Sequence, residues 1–196
     1  MVSETSSNLV TFDAPDREAW REWLSKNHAS SKGVWVVVSK KESDKKGISL
    51  EDVVEEALCF GWIDSKLNVI DEKSFKLLLT PRKLGSIWSK ANKQRIEKLA
   101  RQGLLTVPGL AKIECAKRDG SWNRLDAVEE LRVPEDFGNA LAANRNAKEN
   151  FEFFPISVKK QLLWWIESAK TEKTRSKRIG QAIIVAAENN KAFFSS

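Results

Sequence analysis

The segment Cys59-Phe60-Gly61-Trp62-Ile63-Asp64-Ser65 marks a change of secondary structure, because the hydrophobic period of the chain changes at its glycine. Before Gly61 apolar residues recur at helical spacing, and after it side chains alternate as they do in a strand. From Trp62 onward the alternation predicts that Trp62 and Asp64 point to the same side. The stretch therefore predicts a helix that runs directly into a β-strand.

A hairpin is predicted immediately after this strand. Asp71-Glu72-Lys73 has the composition of a turn, and residues 74–80 return as a second strand. The returning strand would bring Arg82 opposite the start of its partner, within ion-pair distance of Asp64. Upstream, the β-branched run Val34-Trp35-Val36-Val37-Val38 predicts a central strand that is buried on both faces. We therefore predict a mainly antiparallel sheet.

The rest of the chain is dominated by helical patterns. From Thr106 onward no strand pattern returns, and the charged residues 41–47 are predicted to form a solvent-exposed loop. The predicted fold class is α+β, with a mainly antiparallel sheet and packed helices, followed by an all-helical C-terminal region. We place the α+β domain at residues 8–124 and the helical region at 125–194.

Composition restricts the compartment and the chemistry. No run of about 18 apolar residues occurs, and the N-terminus has no basic segment followed by an apolar one, so we expect a cytoplasmic protein without membrane insertion. The chain has one histidine, His28, and two cysteines, Cys59 and Cys115. We expect free thiols, no metal site and no cofactor.

The net charge of +6 is concentrated in the middle of the chain. Residues 65–124 carry 14 basic and 5 acidic side chains, which gives that segment a net charge of +9. Such a local excess favours an acidic partner, either nucleic acid or an anionic small molecule, although charge alone does not specify which.

A basic turn supplies the candidate site. In Thr80-Pro81-Arg82-Lys83-Leu84-Gly85-Ser86-Ile87-Trp88-Ser89-Lys90, cationic side chains surround a glycine turn, and Ser86 or Ser89 would cap the next helix. The spacing is not that of a P-loop. We predict a small-ligand pocket whose lining is Trp62, Asp64, Arg82, Ser86, Trp88 and Lys90. The alternative is that both tryptophans are core residues and that Asp64 and Arg82 only lock the hairpin.

The chain resembles the YdeI/OmpD-associated (bacteriocin-protection) family, from about Phe12 to Phe193. The resemblance rests on Cys59-Phe60-Gly61-Trp62-Ile63-Asp64, Thr80-Pro81-Arg82, Gly85-Ser86-Ile87-Trp88-Ser89-Lys90 and the helical tail that contains Ala169-Lys170-Thr171-Glu172-Lys173-Thr174-Arg175. It implies an N-terminal α+β part and a C-terminal helical bacteriocin-protection region, with no established catalytic activity to transfer. The family label suggests envelope stress or resistance to cationic peptides.

Three functions from different classes remain open. The first is a non-catalytic binding module for an anionic ligand or nucleic acid, which would act through residues 65–124. The second is a stress- or bacteriocin-protection protein that docks a protein partner through its helical tail. An exposed apolar patch at Phe151, Phe153, Phe154, Trp164 and Trp165 would support this second function. The third is an enzyme of unknown reaction with Asp64 as acid or base.

Overall fold

The computed structural model describes residues 9–40 and 47–194, so the predicted solvent-exposed loop at 41–47 lies, except for Gly47, outside the described residues. The chain divides into two compact units, Met1–Asn123 and Arg124–Ser196. Each unit has its own hydrophobic core.

The first unit is built on a four-stranded sheet with the order β1-β2-β4-β3. The strands are β1 (Thr11–Phe12), β2 (Val34–Ser39), β3 (Trp62–Val69) and β4 (Ser74–Pro81). β1 pairs with β2 in parallel, whereas the β2–β4 and β3–β4 pairings are antiparallel. The sheet is therefore mixed but mainly antiparallel, and the predicted α+β class is confirmed.

Side-chain caps hold the first turn of three of the four helices in this unit. The helices are α1 (Arg17–Asn27), α2 (Leu50–Cys59), α3 (Lys90–Arg101) and α4 (Val107–Arg118). The Ser49 side chain accepts from the backbone N–H of Asp52 at the start of α2. Ser89 caps α3 by accepting from the backbone N–H of Asn92. Ser86 lies three residues before that cap and so is not at the helix end.

The edge strand β3 contains a β-bulge. Asp64 pairs with Leu79 and Lys66 pairs with Leu78, so Ser65 is an extra residue in the ladder. Trp62 and Asp64 keep the same side as predicted, but the alternation predicted beyond Asp64 is wrong, because one inserted residue reverses every later side chain.

The core of the first unit lies between the sheet and its helices. Trp20 and Leu24 of α1 are fully buried, and the Trp20 Nε1–H donates to the carbonyl oxygen of Val53 at 3.1 Å. The predicted central strand is confirmed, since β2 lies between β1 and β4. Val34, Val36 and Val38 on one face are inaccessible, whereas on the other face Trp35 is 6% exposed and Val37 is half-buried. Each such side chain contributes about 1.5–3 kcal/mol through burial.

The second unit is helical throughout its described residues, 124–194. It comprises α5 (Asp126–Glu129), α6 (Glu135–Ala142), α7 (Arg145–Glu152), α8 (Ile156–Glu167), α9 (Glu172–Ala187) and a 3-10 turn, Lys191–Phe194. Its core is formed around Phe137, Leu162, Leu163 and Ile166. The predicted all-helical C-terminal region is confirmed.

The exposed apolar patch that would support partner docking by the helical tail is not formed by the five aromatic residues considered for it. Phe151 and Phe154 are buried because Phe151 packs edge-on against Phe137, with ring centroids 5.4 Å apart. Trp164 and Trp165 are half-buried, and only Phe153, which is 83% exposed, faces solvent. Within the described residues no helix is both long and apolar enough to cross a membrane.

Candidate anion site

Arg82 occupies an unusual position at the end of β4. Its backbone N–H donates to the carbonyl oxygen of Gly61 at 3.0 Å, which holds Arg82 beside the start of β3. The residue is only 2% exposed. Its Nη1 donates to the carbonyl oxygen of Ile87 at 3.2 Å, but its Nε and Nη2 are buried and have no hydrogen-bond partner. Arg82 therefore keeps two buried donors open.

These two open donors lie on the same edge of the planar guanidinium. The Nε–H and an Nη2–H together form the fork that receives a carboxylate or phosphate through two parallel hydrogen bonds. The occupied Nη1 lies on another edge. The part of Arg82 that remains open is thus the part suited to bidentate recognition of an oxyanion.

No carboxylate neutralises Arg82 directly. In the described part of the chain no salt bridge joins it to Asp64, because Asp64 pairs with Leu79 while Arg82 lies beyond the end of β4. Burial lowers the pKa of Arg82 to about 10, and the charge of Asp64 only partly opposes that shift. Arg82 therefore stays positively charged at neutral pH without an ion-pair partner.

Aromatic stacking makes this buried charge tolerable. The guanidinium carbon of Arg82 lies 3.5 Å from the ring centroid of Trp88, which is 1% exposed. Trp88 packs on the half-buried Trp122, with centroids 5.0 Å apart. The Nζ atoms of Lys93 and Lys117 each lie 5.4 Å from the Trp122 ring. A desolvated cation–π contact is worth ~2 kcal/mol or more, so the ring of Trp88 replaces part of the lost hydration.

A small cavity adjoins Arg82. Its volume is about 10 Å³, roughly the space of one water molecule or one ligand oxygen. It lies between the turn after β4 and the end of α4, and its polar lining includes Lys83, Ser86, Lys112, Asp119 and Ser121. The Ser121 Oγ is also buried without a hydrogen-bond partner. The cavity can therefore receive one polar atom but not a whole ligand.

Comparison with protein families divides the chain at the same place as its two cores. The model described as "Domain of unknown function (DUF8412)" matches residues 12–112, which is more than half of the chain. The chain belongs to the DUF8412 family. A second model, described as "Bacteriocin-protection, YdeI or OmpD-Associated", matches residues 130–189 and confirms the resemblance for the helical region. No curated protein and no solved structure matches the chain.

These matches refine the resemblance drawn from the sequence. The motifs at residues 59–64 and 80–90 lie within the DUF8412 match, whereas the motif at 169–175 lies within the bacteriocin-protection match. Of the polar residues that line the cavity, Arg82, Lys83, Ser86 and Lys112 fall inside the DUF8412 match, and Asp119 and Ser121 follow it.

The structure brings three of the six predicted site residues to the cavity of this DUF8412 region. Arg82, Ser86 and Trp88 line it, whereas Trp62, Asp64 and Lys90 lie outside its lining. Trp62 is a core residue, 1% exposed, whose Nε1–H donates to the carbonyl oxygen of His28 at 3.3 Å. Asp64 and Lys90 are exposed. Ligand binding by these residues stays a prediction.

Backbone amides contribute less to the site than the glycine turn suggests. The Gly85 N–H donates to Asp119 Oδ2 at 3.2 Å, and the Ser86 N–H donates to the carbonyl oxygen of Lys83 at 3.2 Å. Ser121 N–H donates to the other oxygen of Asp119 at 2.9 Å. The Asp119 carboxylate therefore holds the turn in place. An anion at this site would be bound by side chains rather than by backbone N–H groups.

Sequence reasoning missed the α4 side of the cavity, which tertiary packing creates. The Thr106 Oγ1–H donates to the carbonyl oxygen of Cys59 at 2.6 Å, and a Cβ at Gly109 would lie 2.1 Å from that same oxygen. The glycine thus lets α4 approach the end of α2 closely. The available signal was a glycine inside the first turn of a helix, which is costly unless close packing requires it.

A second polar cluster on α2 was also missed. Glu55 and Glu56 are 0% and 1% exposed, and they bind Arg17, Arg21 and Lys98 at 2.5–3.1 Å. A wider cavity of about 270 Å³ lies beside Glu55 and Lys98. The sequence feature that could have revealed this cluster is a pair of adjacent acids within the apolar run Val53-Val54-Glu55-Glu56-Ala57-Leu58. Both acids are fully paired, so we interpret the cluster as structural.

The two cysteines form no disulfide bond with each other. Both cysteines are free, as predicted. Burial raises the pKa of the Cys59 thiol to about 11, so this thiol stays protonated at neutral pH, while the half-buried Cys115 lines the small cavity. Across the described ranges, no group of three or more His, Cys, Asp and Glu side chains is arranged to hold a metal ion.

Proposed function

We propose that the DUF8412 region is a non-catalytic binding module for an anionic ligand that Arg82 receives. One observation carries this proposal: a guanidinium that is only 2% exposed keeps its Nε and Nη2 donors open. Buried charges in proteins are normally paired, and an isolated one is costly. An incoming oxyanion would supply both the missing charge and the missing acceptors.

The energetics favour an anion over a purely structural role. Burial lowers the pKa of Arg82 to about 10, which corresponds to roughly 3 kcal/mol that opposes folding with the charged side chain. The folded-state pKa is the lower one, so this penalty is fully present at neutral pH and declines only as the pH rises through about 10. Hydrogen bonds to a charged group contribute ~1.5–3 kcal/mol each, so an anion oxygen that accepts from both Nε and Nη2 would offset the penalty.

The cavity limits how the ligand binds. A volume of about 10 Å³ admits one oxygen atom, so the rest of the ligand must stay at the mouth, where Lys83 is exposed and Lys112 half-buried. Asp64, by contrast, is exposed on β3 and lines neither cavity. The geometry therefore supports binding at Arg82 more strongly than acid–base catalysis at Asp64.

Thermal unfolding of the full chain with increasing phosphate or sulfate tests the proposal. At a concentration 100-fold above Kd, a bound anion should stabilise the protein by about 2.7 kcal/mol. Arg82→Met should abolish this gain and leave the stability without anion little changed, since it removes both the charge penalty and the stacking. Arg82→Lys, which keeps the charge but not the fork, should lose most of the gain.

The matched control is Arg101→Met, which removes one exposed cation from α3. It should respond to anions as the unchanged protein does. Equal anion-dependent stabilisation of the Arg82→Met variant and this control would refute the proposal, because the effect would then be general screening of a basic protein.

A second function is supported by the helical region. Its matched family is described as bacteriocin-protection, and we propose that this region docks a protein partner. Phe153 and Ile156 flank Pro155 and are 83% and 63% exposed. Two exposed apolar side chains make a weaker case than the open edge of Arg82, since scattered surface hydrophobics are common.

A further inference from the structure

We propose that the group received by Arg82 is the dianionic terminal phosphate of a small phosphate monoester. This inference rests on the proposed anion-binding function and specifies its ligand class. Two observations carry it: the formal charge of the cavity lining, and a cavity that admits only one oxygen.

The charged residues of the lining set the preferred ligand charge. Arg82, Lys83 and Lys112 contribute three positive charges and Asp119 one negative charge, a formal total of +2. A phosphate monoester carries about −1.5 to −2 at pH 7, whereas a carboxylate or a phosphodiester carries −1. The monoester is therefore the common biological oxyanion whose charge balances this lining.

The shape of the site selects the same group. One terminal oxygen fits the cavity of about 10 Å³ that Arg82 helps to line, and in the proposed complex this oxygen accepts from the buried Nε and Nη2 of Arg82. The remaining two terminal oxygens would stay at the mouth, within the region lined by Lys83 and Lys112. A phosphodiester has only two non-bridging oxygens and a substituent on either side, so it presents no free end to a site closed on one side.

Asp119 does not compete with the ligand for Arg82. Its two oxygens already accept from the backbone N–H groups of Gly85 and Ser121, at 3.2 and 2.9 Å. The side chain of Arg82, moreover, donates only to the carbonyl oxygen of Ile87 among the described residues. The carboxylate thus shapes the turn that carries Lys83, and it sets the total charge of the lining without closing the fork.

The pH dependence of binding distinguishes a dianion from a monoanion. The second ionisation of a phosphate monoester occurs near pH 6, whereas sulfate stays doubly charged across the range from pH 5.0 to 7.5. The titratable groups that line the cavity are Arg82, Lys83, Lys112, Asp119 and Cys115. Arg82 stays charged across this range because its pKa, although lowered by burial, is about 10, and hydrogen bonds from Ser121 and Gly85 hold the pKa of Asp119 below its ordinary value. His28, the only histidine, lies elsewhere, against Phe60.

Calorimetric titration of the full chain at pH 5.0 and 7.5 provides the test, with methyl phosphate, sulfate, dimethyl phosphate and acetate as ligands. Methyl phosphate should bind about tenfold more tightly at pH 7.5, in proportion to its dianionic fraction. Sulfate should bind equally at both values, and the two monoanions should bind at least tenfold more weakly than methyl phosphate at pH 7.5.

The outcomes separate this inference from the function on which it rests. If acetate or dimethyl phosphate binds as tightly as methyl phosphate, or if methyl phosphate binds equally at both pH values, the phosphate monoester is wrong while anion binding stands. Tight dimethyl phosphate binding would indicate the backbone of nucleic acid. If no anion binds, or if Arg82→Met binds all four unchanged, the proposed function itself fails.

Discussion

Arg82 keeps its charge although the residue is only 2% exposed, and the reason lies in its neighbours. The sequence predicted that Trp62 and Trp88 would enclose a ligand together, but Trp62 enters the core and Trp88 stacks on Arg82 instead. Residue type and sequence position placed Arg82, Ser86 and Trp88 in the predicted site, and these three residues line the cavity. The missing ion pair depends on the strand register, which a sequence does not display.

Gly109 is the residue whose replacement most directly tests how the site is built. We expect Gly109→Ala to destabilise the protein, because the new Cβ would lie 2.1 Å from the carbonyl oxygen of Cys59. Overpacking of this kind costs about 1–3 kcal/mol, which exceeds the helix-propensity gain of ~1 kcal/mol or less. Urea unfolding followed by tryptophan fluorescence measures the net loss.

Gly180→Ala supplies the control for this substitution. Gly180 also lies inside a helix, α9, but a Cβ there would meet no atom within 4 Å. The same change should therefore stabilise the protein by up to ~1 kcal/mol. A stabilising Gly109→Ala would show that α4 can move away from α2, and that the α4 side of the cavity is not held as described.

Helix α2 has an acidic face that is buried rather than exposed. Desolvation lowers the pKa of Arg17, but its hydrogen bond to Glu56 and the nearby carboxylates more than reverse this, so the net shift is upward. Arg17 and Arg21 join α1 to α2 through Glu56, and Lys98 joins α3 to α2 through Glu55. The charges of α2 thereby fix the arrangement of three helices.

Glu56→Gln should show how much this arrangement depends on charge. Breaking a fully buried ion pair costs about 3–5 kcal/mol. We expect a loss at or below the lower end of that range, because the side chains of Arg17 and Arg21 remain 35% and 34% exposed and can be partly hydrated. Denaturant unfolding of the full chain provides the measurement.

Glu51→Gln is the matched substitution on the same helix. The Glu51 side chain is 63% exposed and lies 3.7 Å from Lys98, so its loss should change the stability by less than ~0.5 kcal/mol. Similar effects of the two substitutions would mean that the buried cluster contributes no more than a surface ion pair.

The elements show what a sequence can and cannot predict. Capping residues and periodicity predicted α2, α3, the hairpin and the central strand, because each depends on residues close together in the chain. The bulge at Ser65 and the burial of Glu55 and Glu56 were missed, since they depend on partners from distant segments. The α4 side of the cavity was missed for the same reason.

Charge is distributed unevenly between the segments of the whole molecule. Residues 1–64 carry 8 basic and 12 acidic side chains, and the segment 65–124 carries 14 and 5. Several acids of the first segment form ion pairs within the α2 cluster. In the second segment, Lys90, Arg101, Lys117 and Arg118 are exposed on α3 and α4. The basic excess therefore faces solvent in part.

This surface should bind polyanions weakly and without sequence preference, because phosphate contacts by exposed lysine and arginine carry no base information. With about four phosphates neutralised, a rise in salt from 50 to 200 mM should weaken binding to a labelled duplex ~100-fold. Lys117→Glu with Arg118→Glu should weaken binding far more than Lys148→Glu with Lys177→Glu, which makes the same charge change on exposed residues of α7 and α9. Fluorescence anisotropy measures both effects.

Equal losses for the two pairs would indicate that net charge alone attracts the duplex, and undetectable binding at 20 mM salt would show that the basic surface is only solvated. Because this surface contact needs neither the Arg82 fork nor a terminal phosphate, Arg82→Met should leave duplex binding unchanged, and that variant separates the surface from the cavity.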